Sequence, residues 1–173
     1  MPLIENHHIH FGENKVQEAI VKWTNIKQQH KNIKLHLIGK LQTNKVKFAV
    51  QLFDYIHSLD NLKLANKISE TQKKLNKKIK IFIQINIGNE PQKNGIEKKN
   101  VLEFYNYCKD LNLDIIGTMC IPPDDNKTDD YFKQMKEINN RLDLKELSIG
   151  MSNDYMKAMY YSATYLRIGT KIF

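Results

Sequence analysis

Arginine is almost missing from this chain. Of its 27 basic residues only Arg141 and Arg167 carry a guanidinium, so lysine serves wherever a generic cation suffices. Arg167 is therefore a candidate for a position that requires a planar, permanently charged fork. Cysteine is equally scarce. Cys108 and Cys120 are the only two, both lie in apolar segments without spaced partners, and this favours reduced core thiols over a disulfide or a zinc site. No apolar run is long enough to span a bilayer, and Met1-Pro-Leu-Ile-Glu-Asn6 lacks a basic segment leading into an apolar one. The expectation is a cytoplasmic protein with no membrane partner. No G-x-G-x-x-G run follows any strand candidate, which counts against an open dinucleotide-binding sheet.

Charge is present in excess: the net value is +8 and the pI about 9.3. The basic residues are spread through every segment. The tightest group, Lys73, Lys74, Lys77, Lys78 and Lys80, straddles a predicted helix end without interleaved aromatics, so it reads as a solvated face and not as a nucleic-acid groove. With 173 residues and 41% hydrophobic content the chain can bury one ordinary core, and residues 1–173 form a single domain in this reading.

Hydrophobic periodicity predicts strands at His8 to Phe11, Leu35 to Ile38, Tyr55 to His57, Ile79 to Ile87, Asp114 to Cys120, Glu146 to Ile149 and Tyr165 to Ile168. Helical spacing recurs between them, in Val16, Ala19, Ile20, Trp23 and Ile26 and in Val101, Leu102, Tyr105 and Cys108. Thr128 reads as the N-cap of a helix through Arg141, and Ser152-Asn-Asp154 opens the last helix. Strict alternation implies parallel strands with helical crossovers. A (β/α)8 barrel needs an eighth strand and usually about 250 residues. Here the chain opens on helix-like Leu3-Ile-Glu-Asn6 with no strand before it. The expected fold is an α/β TIM-type barrel lacking the first strand and part of the first helix, incomplete at the N-terminus. The flanks of the His8 to Phe11 and Tyr165 to Ile168 strands are then left unpaired, open to association.

In such a barrel the chemistry sits where strands end. Leu147-Ser-Ile-Gly-Met-Ser-Asn-Asp154 and Tyr165-Leu-Arg-Ile-Gly-Thr-Lys-Ile-Phe173 deliver small residues, hydroxyls and backbone N–H groups there, the materials of a phosphate pocket. Ser152, Gly169 and Thr170 are its candidates, with Ser148 second because it could instead line the barrel. His8, His10, His36 and His57 lie on strands. Without convergent carboxylates they favour lining or packing the barrel over holding a metal.

Taken in order, the strand ends read Phe11-Gly-Glu-Asn14, Ile38-Gly-Lys-Leu-Gln-Thr-Asn-Lys45, His57-Ser-Leu-Asp60, Asn86 to Gly95 with its Glu90 and Lys93, Gly117-Thr-Met119 before Pro122, Ser148 to Asp154, and Arg167-Ile-Gly-Thr170. These runs resemble the pyridoxal phosphate homeostasis proteins, a PLP-binding family built like the N-terminal barrel of alanine racemase. The resemblance covers the whole chain. It implies intracellular PLP (vitamin B6) homeostasis by a monomeric, non-catalytic carrier, with Arg167 facing the pyridine nitrogen, Asn14 contacting the cofactor or capping its helix, and Lys93 near the phenolic oxygen. It also implies a Schiff-base lysine on the first strand, for which this sequence has no counterpart, so pyridoxal 5′-phosphate binding is expected to be weakened or non-covalent; Lys15, Lys40, Lys93 and Lys171 lie beside motif residues instead. The competing reading is a PLP-dependent racemase-like enzyme. Such an enzyme needs that lysine and a second acid/base residue, which racemases draw from a C-terminal domain.

Overall fold

The structure, a computed structural model, describes residues 2–172. Seven parallel strands form one sheet in the order β1 (His10–Glu13), β2 (Lys34–Leu37), β3 (Tyr55–Leu59), β4 (Lys80–Asn86), β6 (Asp114–Met119), β7 (Glu146–Met151) and β8 (Tyr165–Arg167), with a two-residue β5 (Ile96–Glu97) pairing beside β4. Helices α1 (Pro2–Glu5), α2 (Val16–Gln29), α3 (Val46–Leu52), α4 (Leu62–Leu75), α5 (Val101–Asp110), α6 (Thr128–Arg141) and α7 (Tyr155–Tyr160) alternate with them. This is a nearly closed TIM-type barrel. Among the described residues β1 pairs with β2 alone and β8 with β7 alone, so these two strands are the edges. No helix of the described chain is long and apolar enough to cross a membrane.

All seven expected strands form, with one shifted. The first begins at His10 and not at His8, because α1 closes with the His8 N–H donating to the Leu3 carbonyl (2.9 Å) and with His7 in the left-handed region (φ 63°). Alternation along the strands divides the interior. Leu35, Leu37, Ile56, Ile81, Ile83, Leu147 and Ile149 belong to the large core shared with the helices, while Tyr55, Phe82 and Met119 form a separate cluster with Ile116 and Tyr165. On α2 the stripe Val16, Ala19 and Trp23 is buried; Trp23 packs on Phe11 and donates its indole N–H to the Glu13 carboxylate (2.6 Å).

On α5 the buried stripe is Val101, Phe104 and Cys108, whereas Leu102 is 53% exposed. Leu102 sits about 100° around the helix from Val101, off the stripe that Phe104 and Cys108 continue. The expected caps also differ. Thr128 is the first helical residue of α6, behind Lys127, and Asp154 precedes α7 with its carboxylate turned back to the Met151 N–H (2.6 Å).

The lysine cluster is only partly a solvated face. Lys73, Lys74, Lys78 and Lys80 are exposed, but Lys77 is half-buried and donates to the carbonyls of Gln51 (2.9 Å) and Phe53 (3.2 Å) at the end of α3. Burial lowers its pKa. Lys27 completes the job on the Leu52 carbonyl (2.9 Å) and the Asp54 carboxylate (2.5 Å). Cations here satisfy the carbonyls that a helix C-terminus leaves open.

The two edge strands carry a consequence for assembly. Unpaired backbone groups template strand addition, so at high concentration the chain is expected to elute from a sizing column ahead of a 20.4 kDa monomer. A monodisperse monomer with a cooperative thermal transition at that concentration would contradict this.

Candidate functional site

Arg167 closes β8 and reaches across two strand ends. One terminal nitrogen, Nη1, donates to the Ser148 carbonyl (2.8 Å) and hydroxyl (2.7 Å), and Nη2 donates to the Cys120 carbonyl (2.7 Å). Its partners are neutral oxygens, not the carboxylate of a surface ion pair. Three bonds leave part of the five-donor guanidinium free, and the side chain is only half-buried. The Cys120 thiol cannot neutralise it as a thiolate, because burial pushes both Cys120 and Cys108 up to about 12.

The register of β7 against β8 places this contact. Ser148 lies opposite Tyr165 and Met151 opposite Arg167, so β7 carries one extra residue between the two pairs. Gly150 absorbs it with a positive φ of 88°, and its α-carbon face packs where a Cβ would stand 2.5 Å from that of Ala158 in α7. Only glycine meets both demands.

Beyond Arg167 the chain turns, with the Ile172 N–H donating to the Gly169 carbonyl (2.7 Å). The Gly169 N–H points to the Ser152 hydroxyl oxygen (3.3 Å), which ties the end of β8 to the end of β7. A Cβ built on Gly169 meets nothing within 4 Å, and Gly169 and Thr170 are exposed. This is open space beside the Ser152 hydroxyl, onto which the Gly169 N–H is turned. With only six residues, α7 adds little dipole.

Lys93 is brought to the same end of the barrel. It pairs with Glu90 (2.6 Å) and its ammonium donates to the Pro122 carbonyl (3.4 Å), just after β6. Its loop is pinned by the Asn86 side chain, which donates to the Glu90 carbonyl (2.8 Å) and accepts from the Glu90 N–H (3.1 Å). Lys93 is therefore half-buried and ion-paired, not freely solvated.

Asn14 stands apart, at the end of edge strand β1. It is exposed, and Lys15 takes the cap position of α2 with no side-chain bond, so Asn14 does not cap the helix. With Lys15, Lys40 and Lys45 it lines a cavity of about 230 Å³. Thus Ser148, Ser152, Arg167, Gly169, Thr170 and Lys93 gather at the ends of β6, β7 and β8, and Asn14 lies on the other edge.

Sequence reasoning missed what holds Arg167. The Ser148 hydroxyl is fully buried and lies 2.9 Å from His57 Nδ1; His57 Nε2 lies 2.9 Å from His36 Nδ1; and His36 Nε2 lies 2.9 Å from His10 Nδ1. Four ring nitrogens pair with one another and His57 Nδ1 pairs with Ser148, and no group of three metal-ligating side chains forms among the described residues. The available signal was parity, since His10, His36, His57 and Ser148 all occupy inward positions of their strands.

The family model described as "Alanine racemase, N-terminal domain" matches residues 1–173. The pyridoxal phosphate homeostasis protein of Aquifex aeolicus is 38% identical over 173 residues, covering 94% of this chain and 75% of that protein. PipY of Synechococcus elongatus PCC7942 is 32% identical; its structure without PLP superposes with a TM-score of 0.92 over 99% of this chain and 85% of that one, and its structure with PLP bound with 0.91 over 99% and 84%. Alanine racemase of Clostridium difficile, at 17% identity with a TM-score of 0.74 over 96% of this chain and 45% of that one, shares the fold.

Proposed function

Since the chain belongs to the pyridoxal phosphate homeostasis proteins, within the alanine racemase N-terminal domain family, we propose that it binds pyridoxal 5′-phosphate as a non-catalytic carrier in cytoplasmic vitamin B6 homeostasis. The observation that carries the reading is the open space at Gly169, bordered by Ser152 and beside a half-buried arginine whose partners are all neutral. The residues present fit the group. Ser152, with the N–H groups of Gly169 and Thr170, suits a phosphate dianion. Arg167 suits a ring nitrogen as a donor, and Ser148 acts through Arg167. Lys93 can approach the phenolic oxygen from the β4–β5 loop, with Asn14 contributing from the opposite edge.

Bound PLP supplies an aldehyde that condenses with amines and a pyridine ring that accepts electrons. Arg167 keeps its own proton at neutral pH and so would leave the ring nitrogen unprotonated, as the corresponding arginine does in the racemase-like barrel, which weakens the cofactor as an electron sink for carbanion chemistry. The racemase-like alternative has the shared fold in its favour, but of the candidate lysines near the site Lys93 is tied to Glu90 and the Lys171 ammonium lies over the Tyr155 ring, 4.9 Å from its centroid.

Incubation with PLP, borohydride reduction and peptide mass mapping tests the non-covalent reading. Diffuse, substoichiometric labelling over the surface lysines is expected. Stoichiometric labelling of Lys15, Lys40, Lys93 or Lys171, lost on replacement by arginine, would establish a covalent lysine and overturn it.

A further inference from the structure

The contacts behind Arg167 have a direction, and it can be read by counting hydrogens. Arginine only donates, so the Ser148 oxygen accepts from Nη1. Ser148 is fully buried, and the partner within reach of its own hydroxyl hydrogen is His57 Nδ1. The hydroxyl therefore donates, Nδ1 carries no proton, and a neutral His57 bears its hydrogen on Nε2. That hydrogen meets His36 Nδ1, which makes His36 an Nε2–H tautomer as well, and its hydrogen meets His10 Nδ1. The opposite polarity would leave the Ser148 hydrogen buried without an acceptor.

Stacking fixes the ring planes that this chain needs. His36 lies on Tyr55 (centroids 4.1 Å apart, planes at 12°), His57 lies on Phe82 (4.2 Å, 20°), and Tyr165 meets the edge of His57 (5.9 Å, 75°). Burial also keeps the buried imidazoles neutral, with His36 lowered to about 3 and His57 lowered well below its ordinary value.

We propose that Ser148, His57, His36 and His10 form a one-directional hydrogen-bond chain across β7, β3, β2 and β1 that fixes the donor face of Arg167, which makes His57 a positioning residue for PLP. The role in PLP binding rests on the function proposed above. The polarity of the chain does not.

Two measurements test it. In the wild-type protein, long-range ¹⁵N–¹H correlation of the histidine rings should show Nε2–H tautomers at His10, His36 and His57; an Nδ1–H tautomer at His57 overturns the chain. In His57→Phe the ring and its stacking on Phe82 remain but the acceptor is lost, so the PLP dissociation constant should rise about tenfold, and the absorbance of bound PLP should shift, while inorganic phosphate binds as before. His57→Gln, which can accept from Ser148 and donate to His36, should restore PLP binding to within about threefold of wild type. Unchanged PLP affinity in His57→Phe overturns the positioning role alone, whereas failure of the wild type to bind PLP removes both that role and the proposed function. Should His57→Phe not fold, the wild-type tautomers and the glutamine variant still decide the matter.

Discussion

Replacing Gly169 by valine is expected to abolish binding of PLP and of inorganic phosphate while leaving the fold untouched. The backbone at Gly169 lies outside the left-handed region, and a Cβ there meets no protein atom within 4 Å. The folded protein therefore has no means of registering the change, and the thermal midpoint should stay within about 2 °C. The ligand does register it. A branched side chain fills the open space at Gly169 beside the Ser152 hydroxyl and the Thr170 backbone, and hydrogen bonds to charged groups are worth about 1.5–3 kcal/mol each, so losing two weakens binding roughly a hundredfold or more. Gly150→Val provides the contrast. Its φ of 88° and the 2.5 Å approach to Ala158 make it a folding defect, not a binding defect. Equal affinity for PLP in wild type and Gly169→Val would remove the phosphate site from this place.

Acid is expected to destabilise the protein well before its carboxylates titrate. His36 is 4% exposed and its pKa falls from 6.5 to about 3 through burial first, then through His10 and Lys27, with Asp54 acting the other way. His57 is lowered by burial, then by His36 and Arg167. A depressed folded pKa means that the unfolded chain binds the extra proton. The stabilisation is complete above pH 6.5 and is lost as pH falls towards the folded value. His36 then removes up to about 1.4 kcal/mol per pH unit, or about 2 kcal/mol between pH 7 and 5, and His57 acts in the same direction. His10 shifts the same way, by burial first and then through His8 and Lys34 against Asp54, but it is exposed and solvent screening discounts it. His36 should lower the melting temperature by roughly 4–8 °C between pH 7 and 5, with His57 adding to the fall. His36→Leu should show a clearly weaker dependence. A melting temperature flat across this range would show that these rings are not held neutral.

Much of the fold was legible because strand parity and helical spacing are local. The inward and outward faces of β2 and β7 follow from alternation alone, as does the buried stripe of α2, whereas on β3 a register shift brings both Ile56 and Leu59 into the core shared with the helices. Where the reading failed, a tertiary or turn contact decided. Leu102 is apolar but a step off the stripe that Phe104 completes, and Thr128 was displaced from its cap by the Asp125 turn, whose carboxylate accepts the Lys127 N–H (2.8 Å). Lys77 looked like one of several solvated cations because its partners, the carbonyls at the end of α3, lie 24 or more residues away.

The site divides in the same way. Arg167 stood out by the scarcity of arginine, and Ser152, Gly169 and Thr170 by their place at strand ends. The histidine chain behind Arg167 was not legible, since it depends on the register that brings Ser148 within reach of His57, 91 residues earlier. Asn14 was ambiguous for the opposite reason. Local capping explained it, and the turn into α2 places Lys15 at the cap instead.

A crystal structure of the chain soaked with PLP tests the central claim most directly. The phosphate should lie against the Ser152 hydroxyl and the N–H groups of Gly169 and Thr170, with the pyridine nitrogen facing the guanidinium of Arg167. A phosphate seated instead in the lysine-lined cavity beside Asn14, or a ring turned away from Arg167, would contradict it.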